Sequence, residues 1–206
     1  MADKPLKSLD SVDWHSLHHA YGEADDVPEL IRGLYSSDVS MQRRSLQDLF
    51  GNIWHQGTVY EATAEAVPFL VDALKRAPQA VRPGVASLLA CIADGTGYLA
   101  VHAQNESSRS MWEQILETQG KKLYEEQSRE QETLKRVRIA TEPAIPLLIP
   151  FLSDPDAEVR SCIPSAFKAY PKLASETVPL LEAALKNEAD ESVRTEIERA
   201  LVKLRG

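Results

Sequence analysis

The sequence predicts an all-α fold, a solenoid of about five antiparallel helix pairs stacked in a row. Three observations point to it. An aliphatic-proline pair recurs at Val27-Pro28, Val67-Pro68, Ile145-Pro146 and Val178-Pro179. Each proline is followed two and six positions later by leucine: Leu30/Leu34, Leu70/Leu74, Leu148/Leu152 and Leu181/Leu185. An arginine then comes 14 or 15 positions past each proline (Arg43, Arg82, Arg160, Arg194), and a second apolar stripe runs beyond it. That stripe reads Leu46/Phe50/Ile53, Val85/Leu89/Ile92, Ile163/Phe167/Tyr170 and Ile197/Leu201/Leu204. Spacings of three and four are helical, so each unit reads as helix, turn, helix. One such pair cannot bury its own apolar face; neighbours in a row bury it together.

The elements follow in chain order. Residues 1–24 are expected to cap the first open face, with a helix from Asp13 to about Tyr21 ended by Gly22. Units are expected at 25–56, 61–94, 142–171 and 175–206. Their turns, "SSD", "SDPD" and "NEAD", supply side-chain oxygens that cap a following helix, and Asp154-Pro155 reads as a cap followed by proline at the first helical position. The repeated proline near the start of each first helix removes a donor and tightens that turn. Pro83 and Pro164 predict kinks or shortened first turns in second helices. Residues 96–140 interrupt the array with irregular helices. "RSMWEQILETQ" places Met111, Ile115 and Leu116 inward, with Gly120 as breaker. "KKLYEEQSREQETLKRVR" (121–138) is a polar helix covering the side of the stack, with favourable pairs Glu125→Arg129 and Glu132→Arg136.

These proline, leucine and arginine positions resemble the HEAT-repeat family of α-solenoids over about half of the chain. The resemblance implies a right-handed solenoid with a concave face lined by the second helices. It implies also that an acidic residue six before the arginine joins it in a ladder between units. Asp154–Arg160 and Glu188–Arg194 fit, whereas Ser37 and Arg76 break the pattern in the first two units, and Gln42 replaces the valine before Arg43.

Composition narrows the function. The chain of 206 residues carries 31 acidic and 23 basic side chains, a net charge of −8. Such a chain repels phosphate backbones and anionic membranes, and favours a basic protein partner. Cys91 and Cys162 lie in apolar helical runs without short-spaced ligand partners and read as structural thiols of a reducing compartment. No window has the length of a membrane span and the first residues have no apolar signal stretch, so a cytoplasmic location is expected.

His15 and His19, four apart on the expected helix, would face one side and could hold a metal with His55 or Asp13 as a third ligand. No HExxH or Cys/His signature accompanies them, so the histidines read as capping and interface residues. No metal, cofactor or catalytic group is expected.

The most distinctive stretch is "GNIWHQGTVYEAT", between the second helix of one unit and the first helix of the next. Gly57 allows a positive-φ turn, and Thr63 can cap the next helix. Trp54 and Tyr60 can plug the groove between units. Packing does not require both rings together with His55 and Gln56, so the joint is also a candidate recognition surface. The expected protein-contact set is Trp54, His55, Gln56 and Tyr60, with Gln47, Asp48 and Glu158 from second helices. The joint is similar to those of small bacterial HEAT-repeat proteins. HEAT-like repeats also occur among immunity proteins that neutralise antibacterial toxins, often nucleases with basic clefts. The resemblance and the charge together imply a non-catalytic protein binder of that kind. An adaptor in a cytoplasmic complex and a small metal-dependent enzyme at the histidine-rich end are the alternatives.

Overall fold

The computed structural model describes residues 4–206, so the first three positions of the expected cap lie outside the described residues. The fold is all-α. The helices are α1 (Lys4–Leu9), α2 (Val27–Gly33), α3 (Val39–Asn52), α4 (Glu61–Arg76), α5 (Arg82–Ala93), α6 (Tyr98–His102), α7 (Glu106–Thr118), α8 (Leu123–Thr141), α9 (Ile145–Leu148), α10 (Ala157–Lys168), α11 (Ala174–Asn187) and α12 (Glu191–Arg205). Two antiparallel ribbons lie between helices: β1 (His18–His19) with β2 (Gly22–Glu23), and β3 (Trp54–His55) with β4 (Thr58–Val59). Among the described residues no helix is long and apolar enough to cross a membrane.

Two chains of helix contacts can be followed through the fold. In one, α2 meets α4 and α4 meets α8. In the other, α3 meets α5, α5 meets α10 and α10 meets α12. One continuous core runs from Leu9 through Ile31, Leu70, Leu89, Ile145 and Phe167 to Leu204. The residue before each recurrent arginine faces that core: Val81, Val159 and Val193 are buried, and so is Gln42. The Gln42 amide N–H donates to the Ser36 carbonyl at 2.5 Å, while its Oε1 is buried without a partner.

The caps follow turn chemistry. Asp38 accepts from the Ser40 N–H at 2.8 Å, and Asp190 from Ser192 at 2.9 Å. At the third turn the cap is Asp156, not Asp154: it accepts from the Glu158 N–H at 2.9 Å and α10 starts after it. Asp154 instead turns inward and takes the Asp156 N–H at 2.9 Å.

Prolines act differently from one unit to the next. Pro28 opens α2, but Pro68 and Pro179 lie inside α4 and α11, which start well before them. The first helix of the third unit is broken into a 3-10 turn (Glu142–Ala144), α9 and a second 3-10 turn (Ile149–Ser153). Pro143, Pro146 and Pro150 each lack an N–H, so a regular ladder cannot run through them.

The expected helix from Asp13 to Tyr21 does not form. A 3-10 turn (Trp14–Ser16) leads into the β1–β2 ribbon instead. Burial alternates with period two across buried Leu17, exposed His18 and buried His19, which suits an extended chain. The Trp14 indole N–H donates to the Leu9 carbonyl at 2.9 Å and fixes the turn on the core.

In the insertion, α7 is rotated from the expected phase. Met111 is exposed, while Trp112 and Leu116 close on Leu99 and Leu123 as a small separate core. Gly120, at φ +71°, follows the end of α7 as expected. The four-apart pairs expected along α8 are replaced: Arg129 bonds Glu126 at 2.7 Å, Lys135 lies 3.7 Å from Glu132, and Arg136 reaches Glu65 of α4 at 3.5 Å. Docking of α8 on α4 draws Arg136 across to the neighbour.

One rung joins two units. Arg160 donates through Nε and Nη2 to both oxygens of Glu188 at 2.7 and 2.9 Å. It takes only the backbone carbonyl of Asp154, at 2.8 Å, not its carboxylate. Arg194 likewise donates to the Leu185 and Glu188 carbonyls at 3.0 and 3.1 Å.

Candidate functional site

The stretch between α3 and α4 is a tight hairpin. Trp54 pairs with Val59 and His55 with Thr58 across a two-residue turn. Gln56 and Gly57 both take positive φ, +50° and +92°, the geometry that joins twisted strands with two residues. Gln56 bears the less favoured of these conformations for a side chain and is exposed at the tip.

Backbone bonds hold the hairpin from below. The Val59 N–H donates to the Thr96 carbonyl at 3.0 Å, and the Thr96 N–H to the Gly57 carbonyl at 2.9 Å. Thr63, fully buried, is the pin: its hydroxyl accepts from the Tyr60 N–H at 2.8 Å and donates to the Ile53 carbonyl at 2.5 Å. Thr63→Val keeps the shape and removes both bonds. It is expected to lower stability by about 1–3 kcal/mol, because two inward backbone groups lose partners; a urea melt measures it.

The hairpin's side chains diverge. Trp54 is half-buried, its ring edge-to-face with Phe50 at 5.9 Å. It borders an open groove of about 540 Å³ that crosses α5, α10 and α12, with Asp94, Lys168 and Glu196 among its walls. Cys91 and Cys162 lie in the same groove, and burial pushes both thiols up from their ordinary pKa. His55 turns toward Tyr21, whose hydroxyl lies 3.3 Å from Nδ1, the two rings being 5.4 Å apart. Tyr60 is half-buried, its hydroxyl 2.7 Å from that of Thr58, and burial raises its pKa. It borders a different cleft, shared with Tyr98 and Trp112.

The expected contact residues are therefore not one cluster. Trp54 serves the groove, Tyr60 the cleft, and His55 and Gln56 the outer edge. Gln47 and Asp48 are exposed on α3, the helix that leads into the hairpin. Glu158 is exposed in the first turn of α10, one turn from the groove residues Ser161 and Cys162, and among the described residues it shares no bond or ring contact with the hairpin. Tyr21, 69% exposed beside His55, escaped sequence reading because its neighbourhood looked helical. Its one signal was Gly22, a positive-φ glycine that directly follows the turn Ala20-Tyr21.

The histidines also separate. His19 is buried; its Nδ1 accepts from the Tyr21 N–H at 3.0 Å, so Nε2 carries the proton and donates to Asp26 at 3.0 Å. His18 lies against Glu61, with Nδ1 to Oε2 3.1 Å. His15 faces Asp25 at 3.1 Å and Glu23 at 3.4 Å, and the hydrogen bond to Asp25 raises its pKa above the usual imidazole value. His15 and His19 share no face because the segment is a turn and a ribbon, and neither His55 nor Asp13 joins them in a ligand set. His15, Glu23 and Asp25 do bring one nitrogen and two oxygens within 4.8 Å of one another, a donor set able to hold a divalent metal, although all three are exposed.

No family model matches the chain, and no curated protein matches it. The fold is similar to two crystal structures of engineered proteins. The first aligns with a TM-score of 0.53 and 21% identity over 87% of this chain and 62% of its own. The second has a TM-score of 0.52 and 18% identity over 100% of this chain and 41% of its own. This chain thus spans less than two thirds of either, and the likeness concerns the fold alone.

Proposed function

We propose that this chain is a HEAT-like α-solenoid that binds another protein without catalysing a reaction. The partner presents a basic surface, and in the sharpest form it is a nuclease-like toxin that this chain neutralises as a cytoplasmic immunity protein. The observation that carries the reading is the placement of Trp54: a large ring, half-buried and pre-positioned by a pinned hairpin, at the border of a groove formed by three helices. Rigid aromatic side chains at the edge of a preformed surface are the usual anchors of protein interfaces, because they lose little freedom on binding. A net charge of −8 adds electrostatic attraction and a faster encounter with a basic partner. The rung from Arg160 to Glu188 supports a stacked array, since it couples one helix pair to the next.

Co-expression tests the sharp form: the chain is expected to protect cells from the toxin, and no protection ends that form. A non-toxic complex as partner turns the reading to an adaptor. Trp54→Ala is expected to weaken partner binding by about 2 kcal/mol or more. Its stability is expected to fall by only about 1 kcal/mol, since one side of the ring is already open. Calorimetric titration beside a melting curve separates the two effects.

One observation favours a second reading, a small metal-dependent enzyme at the histidine-rich end: the His15, Glu23 and Asp25 group. Metal analysis of the purified chain, with and without His15→Ala, decides it.

A further inference from the structure

The cleft on the Tyr60 side is separate from the groove and has its own chemistry. It encloses about 450 Å³ between the start of α4, the hairpin and the insertion helices α6, α7 and α8. Three rings border it: Tyr60, Tyr98 and Trp112, the last two edge-to-face at 5.4 Å. The Trp112 indole N–H is buried without an acceptor.

Two carboxylates on the cleft are held in place by backbone donors. Glu130 accepts from the N–H groups of Leu99 and Ala100 at 2.7 and 3.1 Å, and Gly97 gives it room, because a Cβ there would run into the carboxylate. Glu61 accepts from the His18 N–H at 3.2 Å, and the same oxygen lies 3.1 Å from Nδ1 of the His18 ring, which also borders the cleft. The two cations of the cleft, Lys121 and Arg129, are both drawn to Glu126, at 3.8 and 2.7 Å. Among the described residues neither Glu61 nor Glu130 is paired with a lysine or arginine. The cleft therefore offers aromatic faces and edges beside fixed negative charge, already ordered before any ligand arrives.

We propose that this cleft is a socket for an arginine side chain of the basic partner, an inference that rests on the protein-binding reading above. A guanidinium is planar and weakly hydrated. It lies on aromatic rings and presents N–H donors to carboxylates on more than one side. A lysine ammonium is compact and strongly hydrated, and it loses more on entering an aromatic cleft. The insertion that interrupts the repeating pattern thereby acquires a role, since α6, α7 and α8 supply two of the rings and one of the carboxylates.

The test is an NMR titration of the ¹⁵N-labelled chain with acetyl-Gly-Arg-Gly-amide and with its lysine and citrulline counterparts. The Trp112 indole resonance is expected to shift with the arginine peptide while those of Trp14 and Trp54 stay still. The lysine peptide is expected to bind more weakly and the neutral citrulline peptide weakest. Glu61→Gln keeps an oxygen for the His18 N–H, whereas Glu130→Gln keeps an acceptor for only one of the Leu99 and Ala100 N–H groups, which take one carboxylate oxygen each. Each is expected to weaken the arginine peptide about tenfold, Glu61→Gln with an unchanged melting curve and Glu130→Gln with a lowered one, so that Glu61→Gln carries the test. Equal binding of the citrulline peptide, or an unmoved Trp112, overturns the socket. So does a host partner that binds the doubly substituted chain as tightly as the wild type, and that result leaves protein binding itself standing. The absence of any protein partner overturns the broader reading, while the peptide titration still decides the chemistry of the cleft.

Discussion

Glu188→Ala is expected to lower the unfolding free energy by about 3 kcal/mol, the low end for breaking a buried ion pair from one side. The Glu188 side chain is 7% exposed and Arg160 18%. Removal of the carboxylate strands a guanidinium that was bonded through two nitrogens, and only the Asp154 and Pro155 carbonyls remain to it. The same pair sets an acid limit. The guanidinium of Arg160 holds the Glu188 pKa at about 2, below its ordinary 4.5. A carboxylate depressed in the folded state stabilises fully above its unfolded pKa, and the contribution disappears as pH falls from 4.5 through about 2. Stability curves of the wild type and Glu188→Gln are therefore expected to differ at neutral pH and to converge in acid. Chemical melts across pH 7 to 2 measure this, and parallel curves would show that the rung contributes nothing through charge.

Phe167→Ala is the second large effect. Phe167 is fully buried in α10, the helix that packs on both α5 and α12. Truncating it leaves a cavity in the continuous core, and such cavities cost about 3–5 kcal/mol because the surroundings relax only in part. For a chain of this size the melting temperature is expected to fall by roughly 10 °C. Val202→Ala, at a site 73% exposed on α12, is the control and is expected to change stability by less than about 0.5 kcal/mol.

These two sites differ in how much of them the sequence revealed. Phe167 lay on a periodic apolar stripe, and burial of the residue before each arginine, Gln42 included, follows from the same helical phase. Glu188 was legible through the family resemblance as a ladder residue, but paired there with Arg194, whereas its carboxylate takes Arg160. Its true partner comes from the preceding unit, and no spacing within one unit can announce a contact between two. The ribbon at His18–Glu23 was hidden for a related reason. Each strand has two residues, too few for a period-two pattern to outweigh a plausible cap and breaker, and the turn is fixed by Trp14 reaching back to Leu9. In α7 the three-residue choice among Met111, Trp112 and Ile115 depended on where Leu99 and Leu123 would stand, which is tertiary information.

The site was partly visible. Gly57 foretold a positive-φ turn, and the density of rings and amides marked the hairpin. The sequence could not show that Trp54 and Tyr60 would leave the hairpin on different sides, or that Glu61 and Glu130, far apart in the chain, would border one cleft. A strand pair sends alternate side chains to opposite faces, so a residue list read along the chain mixes two surfaces.

The groove bordered by Trp54 is the face proposed to bind a basic protein. Hydrogen–deuterium exchange of the chain alone and with the partner co-purified from its host tests it most directly. Slower exchange is expected in residues 54–59 and along α5, α10 and α12, with α11 unchanged. Protection confined to α11, or a complex that forms without slowing exchange at the hairpin and groove, would contradict it.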